Sequence, residues 1–413
     1  MPCEGELDRW ERVKIRQSTY FDWTELRSTI HWTSVSADPS LLKIVVAAGG
    51  TGGHLFPAMA VVEQLQRLTG GQCRPHFLGS EDRMEATLIP QAGYPYTAMP
   101  IAGFRGVTHP STLSLPLKIV RSVQIARRTI KLHRPSVVLV TGAYISYPAG
   151  RAAIKEGVPL VIMESNVNPG KTNAQLAGNA SAIVASFEES REFFPASVQD
   201  RIHVVGNPVR QQIKTSIDGQ GARLGFALDA TRPTVLVFGG SLGARSINRA
   251  VQKLVDRWTA TQTAPPWQLI WQTGADYTAV VSEKLRGFVC SRPFLDDMGS
   301  AYAAADLVVC RSGATTIAEL GIVGKPAVLI PLPSASTNEQ RHNARVVERR
   351  GAAIVVEDEE LDQRLGDTID AMMIDERRRS SMATSMRTLG KPLAAEEAAR
   401  IVLRIGQQTQ QRS

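Results

Sequence analysis

An α/β protein made of two Rossmann-like domains facing each other across a cleft is predicted by three observations. From Leu41 onward, short β-rich runs alternate with longer helical patterns, the signature of parallel sheets with helical crossovers. Two apolar runs end in the same kind of turn: Ile-Val-Val-Ala-Ala-Gly-Gly-Thr-Gly-Gly over 44–53, and Val-Leu-Val-Phe-Gly-Gly-Ser-Leu-Gly over 235–243. The chain has 413 residues, enough for two domains of about 150–200 residues each.

Strands are expected at 43–48, 75–78, 137–140, 160–163, 182–185 and 203–205 in the first half. In the second they are expected at 234–238, 268–272, 288–290, 307–310, 327–330 and 353–356. Asn207-Pro208 is a natural hinge. The expected division is a first domain over 41–206, a second over 207–388, and a closing helix in 389–413 that returns to the first. Residues 1–40 are polar, carry Trp10, Trp23 and Trp32, and hold no sustained periodicity. They read as a disordered extension or a start assigned too early, with a docking segment as the other reading.

Composition narrows the function classes. The chain is 43% hydrophobic and 21% charged, which excludes disordered, collagenous and disulfide-dense classes. No apolar run reaches the 18 or so residues of a spanning helix. Cys3, Cys73, Cys290 and Cys310 have no C-x-x-C spacing, so neither a zinc site nor a disulfide framework is expected. With no basic-then-apolar leader pattern, the expected location is cytoplasmic. Net charge is +8, which favours anionic partners. From Ala86 to Lys155 there is no Asp or Glu, yet nine Lys and Arg. No nucleic-acid motif accompanies this charge, so nucleic acid is not expected.

Glycines let a backbone approach a ligand closely, and bare amides at a helix start attract anions. Both glycine turns are therefore candidate sites for phosphate or a developing oxyanion, a plain tight turn being the alternative. The dinucleotide pattern fails at the first turn, and Gly170-Lys171-Thr172 lacks the upstream glycine of a nucleotide-binding P-loop. Gly239-Gly-Ser241-Leu-Gly243 matches a nucleophile elbow, with Asp306 and His342 following in hydrolase order. A hydrolase is therefore a competing reading, although it leaves the first turn unexplained. His54, closing the first turn, reads as a general base or as a phosphate-contacting or capping imidazole. In Cys310-Arg-Ser-Gly-Ala-Thr-Thr-Ile-Ala-Glu319, Ser312 is the expected helix cap. Glu319 is either a ribose-binding carboxylate or a solvated helix residue. No D-x-D occurs, so a metal-held diphosphate is not expected.

Together, Gly49-Gly-Thr-Gly-Gly-His-Leu-Phe-Pro57, Gly206-Asn-Pro-Val-Arg210, Gly239-Gly-Ser-Leu-Gly-Ala-Arg245, and Asp296-Asp-Met298 through Cys310–Glu319 resemble the bacterial MurG family. The resemblance runs from about Leu41 to the final helix. It implies a GT-B fold with an N-terminal acceptor domain and a C-terminal nucleotide-sugar domain. It also implies an inverting transfer of GlcNAc from UDP-GlcNAc to lipid I, giving lipid II, without a cofactor. The alternative is a related GT-B glycosyltransferase with another glycolipid or small-molecule acceptor. A UDP-sugar sensor that binds without turnover is a further class.

Carried over position by position, the resemblance makes His54 the base and Glu164 a second acid/base or an acceptor-orienting group. Thr51, Gly52, Gly53, Asn166, Arg210 and Ser241 become donor contacts. Leu295 becomes the residue whose backbone meets uracil. Ala314, Thr315, Thr316, Ile317, Ala318 and Glu319 form the donor helix, and Gln340 contacts a sugar hydroxyl. The sequence departs from the family pattern at Met163 and Ser165, at Ala143 and Tyr147, at Leu242, and at Glu339, where a glutamine is usual. The basic stretch 115–131 reads as an amphipathic helix. It suits either an anionic cytoplasmic leaflet of the inner membrane or simple packing on the sheet. Other cell-wall synthesis proteins are conceivable further partners under the resemblance.

Overall fold

The computed structural model describes residues 41–101, 114–209, 213, 217–240, 243–261, 264–333 and 338–411. The expectations for residues 1–40, Arg210, Ser241 and Leu242 lie outside the described residues.

Two parallel sheets carry the fold. The first has seven strands: β1 (Leu42–Ala47), β2 (Cys73–Ser80), β3 (Tyr96–Met99), β4 (Val137–Val140), β5 (Leu160–Glu164), β6 (Ala182–Ala185) and β7 (Ile202–Val204). Their order is β3-β2-β1-β4-β5-β6-β7. The second has six: β8 (Thr234–Phe238), β9 (Gln268–Gln272), β10 (Val289–Arg292), β11 (Leu307–Arg311), β12 (Ala327–Ile330) and β13 (Ala353–Val355). Their order is β10-β9-β8-β11-β12-β13.

The central strands are buried on both faces, which is why they read as unbroken Val, Ile, Leu and Ala runs. The strand that sequence reading missed is β3, Tyr-Thr-Ala-Met, at an edge and mostly half-exposed. It lacks the apolar run of its neighbours. Other edges differ by a residue or two: the run expected at 288–290 forms Val289–Arg292, and that at 203–205 forms Ile202–Val204.

Strand order reverses between β1 and β4 in the first sheet and between β8 and β11 in the second. Crevices for ligands open at such switch points, beyond the carboxyl ends of the strands. The two glycine turns leave β1 and β8, and the segments after β4 and β11 stand beside them. The duplicated sequence pattern is thus a duplicated position in the fold.

The helix Ala394–Gln410 packs on the first sheet. Ala398, Ala399, Ile401 and Val402 share a core with Leu42, Ile44, Leu55 and Val62, and Gln410 Nε2 donates to the Leu41 carbonyl at 3.0 Å. Gly406 permits that approach, since a Cβ there would stand 2.5 Å from Leu42 Cδ1. On the opposite face, the helices Leu115–His133 and Ala143–Glu156 cover Val45, Leu78, Val138 and Val140.

Under the end of the helix Leu115–His133 lies a stacked pair, His76 and His133, with ring centroids 4.0 Å apart. Burial, reinforced by the neighbouring His133, holds His76 down to about 4. An unfolded chain protonates the same ring near 6.5. Between those values the unfolded state binds more protons, so stability should fall as pH drops from about 6.5 to 4 and level off below. Urea unfolding of wild type and His76→Asn across this window checks it. The variant is expected to show a shallower loss of stability.

Candidate functional site

The first glycine turn is held from beneath by a carboxylate. Glu85, fully buried, accepts from Gly50 N at 3.1 Å with each oxygen. It also accepts from Ser80 N at 3.2 Å and Ser80 Oγ at 2.6 Å. Gly49 has φ +146°, and a Cβ on it would lie 2.3 Å from Glu85 Cδ, so no larger residue fits above this carboxylate. Thr51 precedes the helix Gly52–Leu68 in extended conformation and does not cap it with its side chain. Its hydroxyl instead meets His54 Nδ1 at 3.0 Å. The first-turn amides are left without a side-chain cap, and the imidazole is oriented through Nδ1.

The other edge of the His54 ring lies against the turn after β4. A Cβ on Gly142 would be 3.1 Å from both Nε2 and Cδ2 of His54, and 3.4 Å from Asn173 Nδ2. The next residue, Ala143, takes φ +54°, a left-handed conformation that costs a non-glycine residue roughly 1–2 kcal/mol. Burial lowers the pKa of His54, opposed by the carboxylates of Glu339 and Glu85. A base kept neutral near physiological pH is the consequence.

Glu164 ends β5 and is buried. Its carboxylate accepts from Asn166 N at 2.9 Å, Gly170 N at 3.1 Å and Asn173 Nδ2 at 2.8 Å. Burial raises its pKa, and these donors work against the rise. Its contacts organise the loop from Asn166 to Asn173. Met163 points into the core at 2% exposure, and Ser165 Oγ donates to Asn207 Oδ1 at 3.1 Å.

In the second domain, Gly243 (φ +75°) closes the glycine turn where a Cβ would stand 2.1 Å from the Thr273 carbonyl oxygen. Gln272 ties the turn to the following loop, donating to Gly240 O at 2.9 Å and accepting from Leu295 N at 3.0 Å. The Leu295 amide is therefore engaged. The helix Ala314–Val323 starts at Gly313 with no side-chain cap. Ser312, the expected cap, donates instead to the Gln340 carbonyl at 2.8 Å. Ala314 and Ile317 are buried, while Thr315, Thr316 and Ala318 are half-exposed. Glu319 is buried and accepts from the Tyr302 hydroxyl at 2.9 Å, so it is not a solvated helix residue. Gln340 Oε1 accepts from Leu332 N at 3.0 Å.

The two halves meet at these turns. Asn207 Nδ2 donates to Thr315 Oγ1 at 3.2 Å, and a Cβ on Gly53 would lie 3.9 Å from the same oxygen. The starts of the helices Gly52–Leu68 and Ala314–Val323 thus face one another. Asn343 crosses the boundary twice, accepting from Val167 N at 2.9 Å and donating to Asn166 Oδ1 at 3.0 Å. Arg350 pairs with Glu189 at 2.7 Å.

Glu85, Asn173, Asn207 and Asn343 were not singled out as site residues by sequence reading. Asn207 alone left a signal, as a hinge. The hydrolase arrangement does not form. Asp306 lies at the start of β11, accepting from Thr234 N at 2.8 Å and pairing with Arg223 at 2.9 Å. The glycine turn lies at the far end of β8, roughly 17 Å away at about 3.3 Å per residue. His342 packs on Phe193. Among the described residues no group of three or more His, Cys, Asp or Glu is placed to hold a metal ion.

Removing the Glu85 carboxylate should orphan the buried Ser80 amide, at about 1–3 kcal/mol, and the half-buried Gly50 amide as well. Glu85→Ala is therefore expected to lower the denaturation midpoint clearly, with Glu85→Gln losing less. Chemical unfolding of both variants measures the difference.

Comparison with known proteins agrees with this geometry. The model of the glycosyltransferase family 28 N-terminal domain matches residues 44–185, and that of the family 28 C-terminal domain matches residues 234–398. A relative from Parabacteroides distasonis is 34% identical over 368 residues, covering 88% of this chain and 98% of that protein. One from Chlorobaculum parvum is 38% identical over 371 residues, covering 87% and 99%. Both carry the name UDP-N-acetylglucosamine--N-acetylmuramyl-(pentapeptide) pyrophosphoryl-undecaprenol N-acetylglucosamine transferase. The crystal structure of Acinetobacter baumannii MurG is 28% identical with a TM-score of 0.70, covering 88% of this chain and 99% of that one.

Proposed function

The chain belongs to the MurG family of family 28 glycosyltransferases, and from that premise we propose how its residues work. It is a UDP-GlcNAc-dependent N-acetylglucosaminyltransferase of GT-B fold that transfers GlcNAc to lipid I, giving lipid II for peptidoglycan. The observation that carries the mechanism is the meeting of two uncapped helix starts, at Gly52 and Ala314, beside His54.

The donor diphosphate lies between these helix starts. Amides at Gly52 and Gly53, the N-terminus of the helix Ala314–Val323, and the Thr315 and Thr316 hydroxyls face it, where the dipoles favour negative charge. Arg210 and Ser241 match diphosphate contacts by resemblance alone. Glu319, steadied by Tyr302, receives the ribose hydroxyls. Because the Leu295 amide is engaged by Gln272, the uracil contact there falls to the Leu295 carbonyl. Asn166 and Gln340 contact the sugar.

The acceptor sugar hydroxyl attacks the anomeric carbon from the face opposite the phosphate, so configuration inverts. A carbon–oxygen bond forms to the acceptor as the bond to the β-phosphate oxygen breaks. The hydroxyl proton passes to His54, and UDP leaves with the bonding electrons. Each preorganised donor aimed at the departing charge contributes roughly 3–4 kcal/mol. Glu164 holds the loop that presents Asn166 rather than exchanging protons, since its oxygens already accept from four N–H groups of Asn166, Gly170 and Asn173.

The first domain takes the lipid acceptor at the cytoplasmic face of the inner membrane. Among the described residues no helix is long and apolar enough to cross a membrane. The helix Leu115–His133 has one buried face, with Ser122, Ala126 and Ile130 in the core. Its other face exposes Leu117 (73%), Val120 (53%) and Leu132 (78%) alongside Arg121, Arg128 and Lys131. An apolar surface edged with cations suits an anionic leaflet.

Radiolabel transfer from UDP-GlcNAc to a lipid I analogue tests the reading. His54→Ala should lower kcat by about 10²–10⁴ with donor affinity kept. Glu319→Ala should instead raise the donor KM by about tenfold or more. Wild-type donor binding without transfer, measured by calorimetry, would overturn lipid I as the acceptor. For the membrane face, Leu117→Glu with Leu132→Glu should reduce co-sedimentation with phosphatidylglycerol vesicles. Raising the salt should reduce the wild type's binding as well.

A further inference from the structure

The chain leaves the first domain through Val205-Gly-Asn-Pro-Val209, and this crossing is tightly held. Gly206 takes φ +90°, and a Cβ on it would stand 2.5 Å from Lys391 Cβ, just before the helix that returns to the first domain. Pro208 confines the residue before it to extended backbone. Asn207 is thus presented from a fixed frame, and it is buried. Its amide is oriented from the first domain. Ser165, buried and one of the departures from the family pattern, donates through Oγ to Asn207 Oδ1 at 3.1 Å. With that oxygen occupied, the amide turns its nitrogen to the second domain, where Nδ2 donates to Thr315 Oγ1 at 3.2 Å. The chain of bonds from Ser165 through Asn207 to Thr315 therefore runs in one direction. It ends on a hydroxyl whose oxygen accepts and whose own hydrogen no described residue takes.

That hydroxyl lies where the two helix starts meet. A Cβ on Gly53 would be 3.9 Å from Thr315 Oγ1 and 3.7 Å from Thr51 Oγ1. Building on the placement of the donor diphosphate between these starts, we propose that Asn207 is a positioning residue for Thr315, holding its oxygen so that its hydrogen is given to the diphosphate. A hydroxyl has one hydrogen to donate, and an N–H donor on its oxygen limits where that hydrogen points. As UDP departs, negative charge gathers on the diphosphate. A hydrogen bond to a charged oxygen is stronger than one to a neutral oxygen, and a donor already aimed needs no reorganisation. Two neighbouring hydroxyls are committed elsewhere: Thr51 meets His54 Nδ1 at 3.0 Å, and Ser312 donates to the Gln340 carbonyl. Asn207 thereby couples the loop after β5 in the acceptor domain to the helix that holds the donor.

The test compares UDP with uridine, which lacks the diphosphate. Affinities for both are measured on the full chain by displacement of a fluorescent UDP-GlcNAc derivative, which needs no turnover. UDP affinity is expected to fall roughly three- to tenfold in Asn207→Ala and about tenfold in Thr315→Val, with uridine affinity kept in each. The variant carrying both changes should lose no more than Thr315→Val alone, because Asn207 acts through that hydroxyl; independent roles would multiply the two losses. Ser165→Ala should show a smaller loss of the same kind, and Thr315→Ser, which keeps a hydroxyl, should recover most of the UDP affinity. Equal weakening of UDP and uridine in Asn207→Ala would overturn the proposal, since it marks a hinge or packing role. So would an unmoved UDP affinity, or losses that multiply. A wild type that binds UDP no better than uridine would instead overturn the placement of the diphosphate, and the proposal with it.

Discussion

Two helix starts without side-chain caps, one from each sheet, come face to face at the domain boundary, and much of the structure keeps them there. An uncapped start leaves amide donors in search of an acceptor and concentrates positive potential. Two such ends repel unless an anion lies between them, so neighbouring contacts must hold them in place. Asn207 reaches Thr315 at the start of one helix. Asn343 bonds both Asn166 and Val167 across the boundary, and Arg350 pairs with Glu189. Neutral amides do most of this bridging, which adds no charge beside the two uncapped helix starts.

Buried carboxylates build the walls of the site. Glu85 and Glu164 have no cation bonded to them among the described residues; each is neutralised by several N–H and O–H donors from the loop it organises. A carboxylate with that many donors is a rigid template, because each oxygen has several acceptor positions and the backbone must come to it. The glycine at 49 follows from this, since the chain passes over Glu85 too closely for a side chain, and Gly50 beside it takes φ +80°. Glu319 differs in its setting, buried on the helix Ala314–Val323 with the Tyr302 hydroxyl donating to it.

The switch from strand to helix at equivalent places in two sheets explains how one architecture serves both substrates. Each domain contributes a crevice at the reversal of its strand order. The helix Ala394–Gln410 then crosses back to complete the first core. The first domain's covering helix keeps one face for packing and leaves the other apolar and basic. Neither half holds the proposed site by itself.

The alternation of apolar runs with helical periodicity determined the two parallel sheets, because strands buried on both faces must be continuously apolar. The repeated glycine turns marked where the chain leaves a central strand beside the reversal of each sheet's strand order, because few other residues permit that backbone. Only the edge strand Tyr96–Met99, with little apolar surface to bury, escaped such a reading. Partnerships were decided by the tertiary structure alone. Ser312 serves Gln340 rather than its own helix, Glu85 lies 35 residues from the glycine it supports, and Asp306 sits at the wrong end of its sheet for a hydrolase. Local spacing records periodicity and turn chemistry, whereas a hydrogen bond across 177 residues, such as Asn343 to Asn166, exists only once both sheets have folded and met.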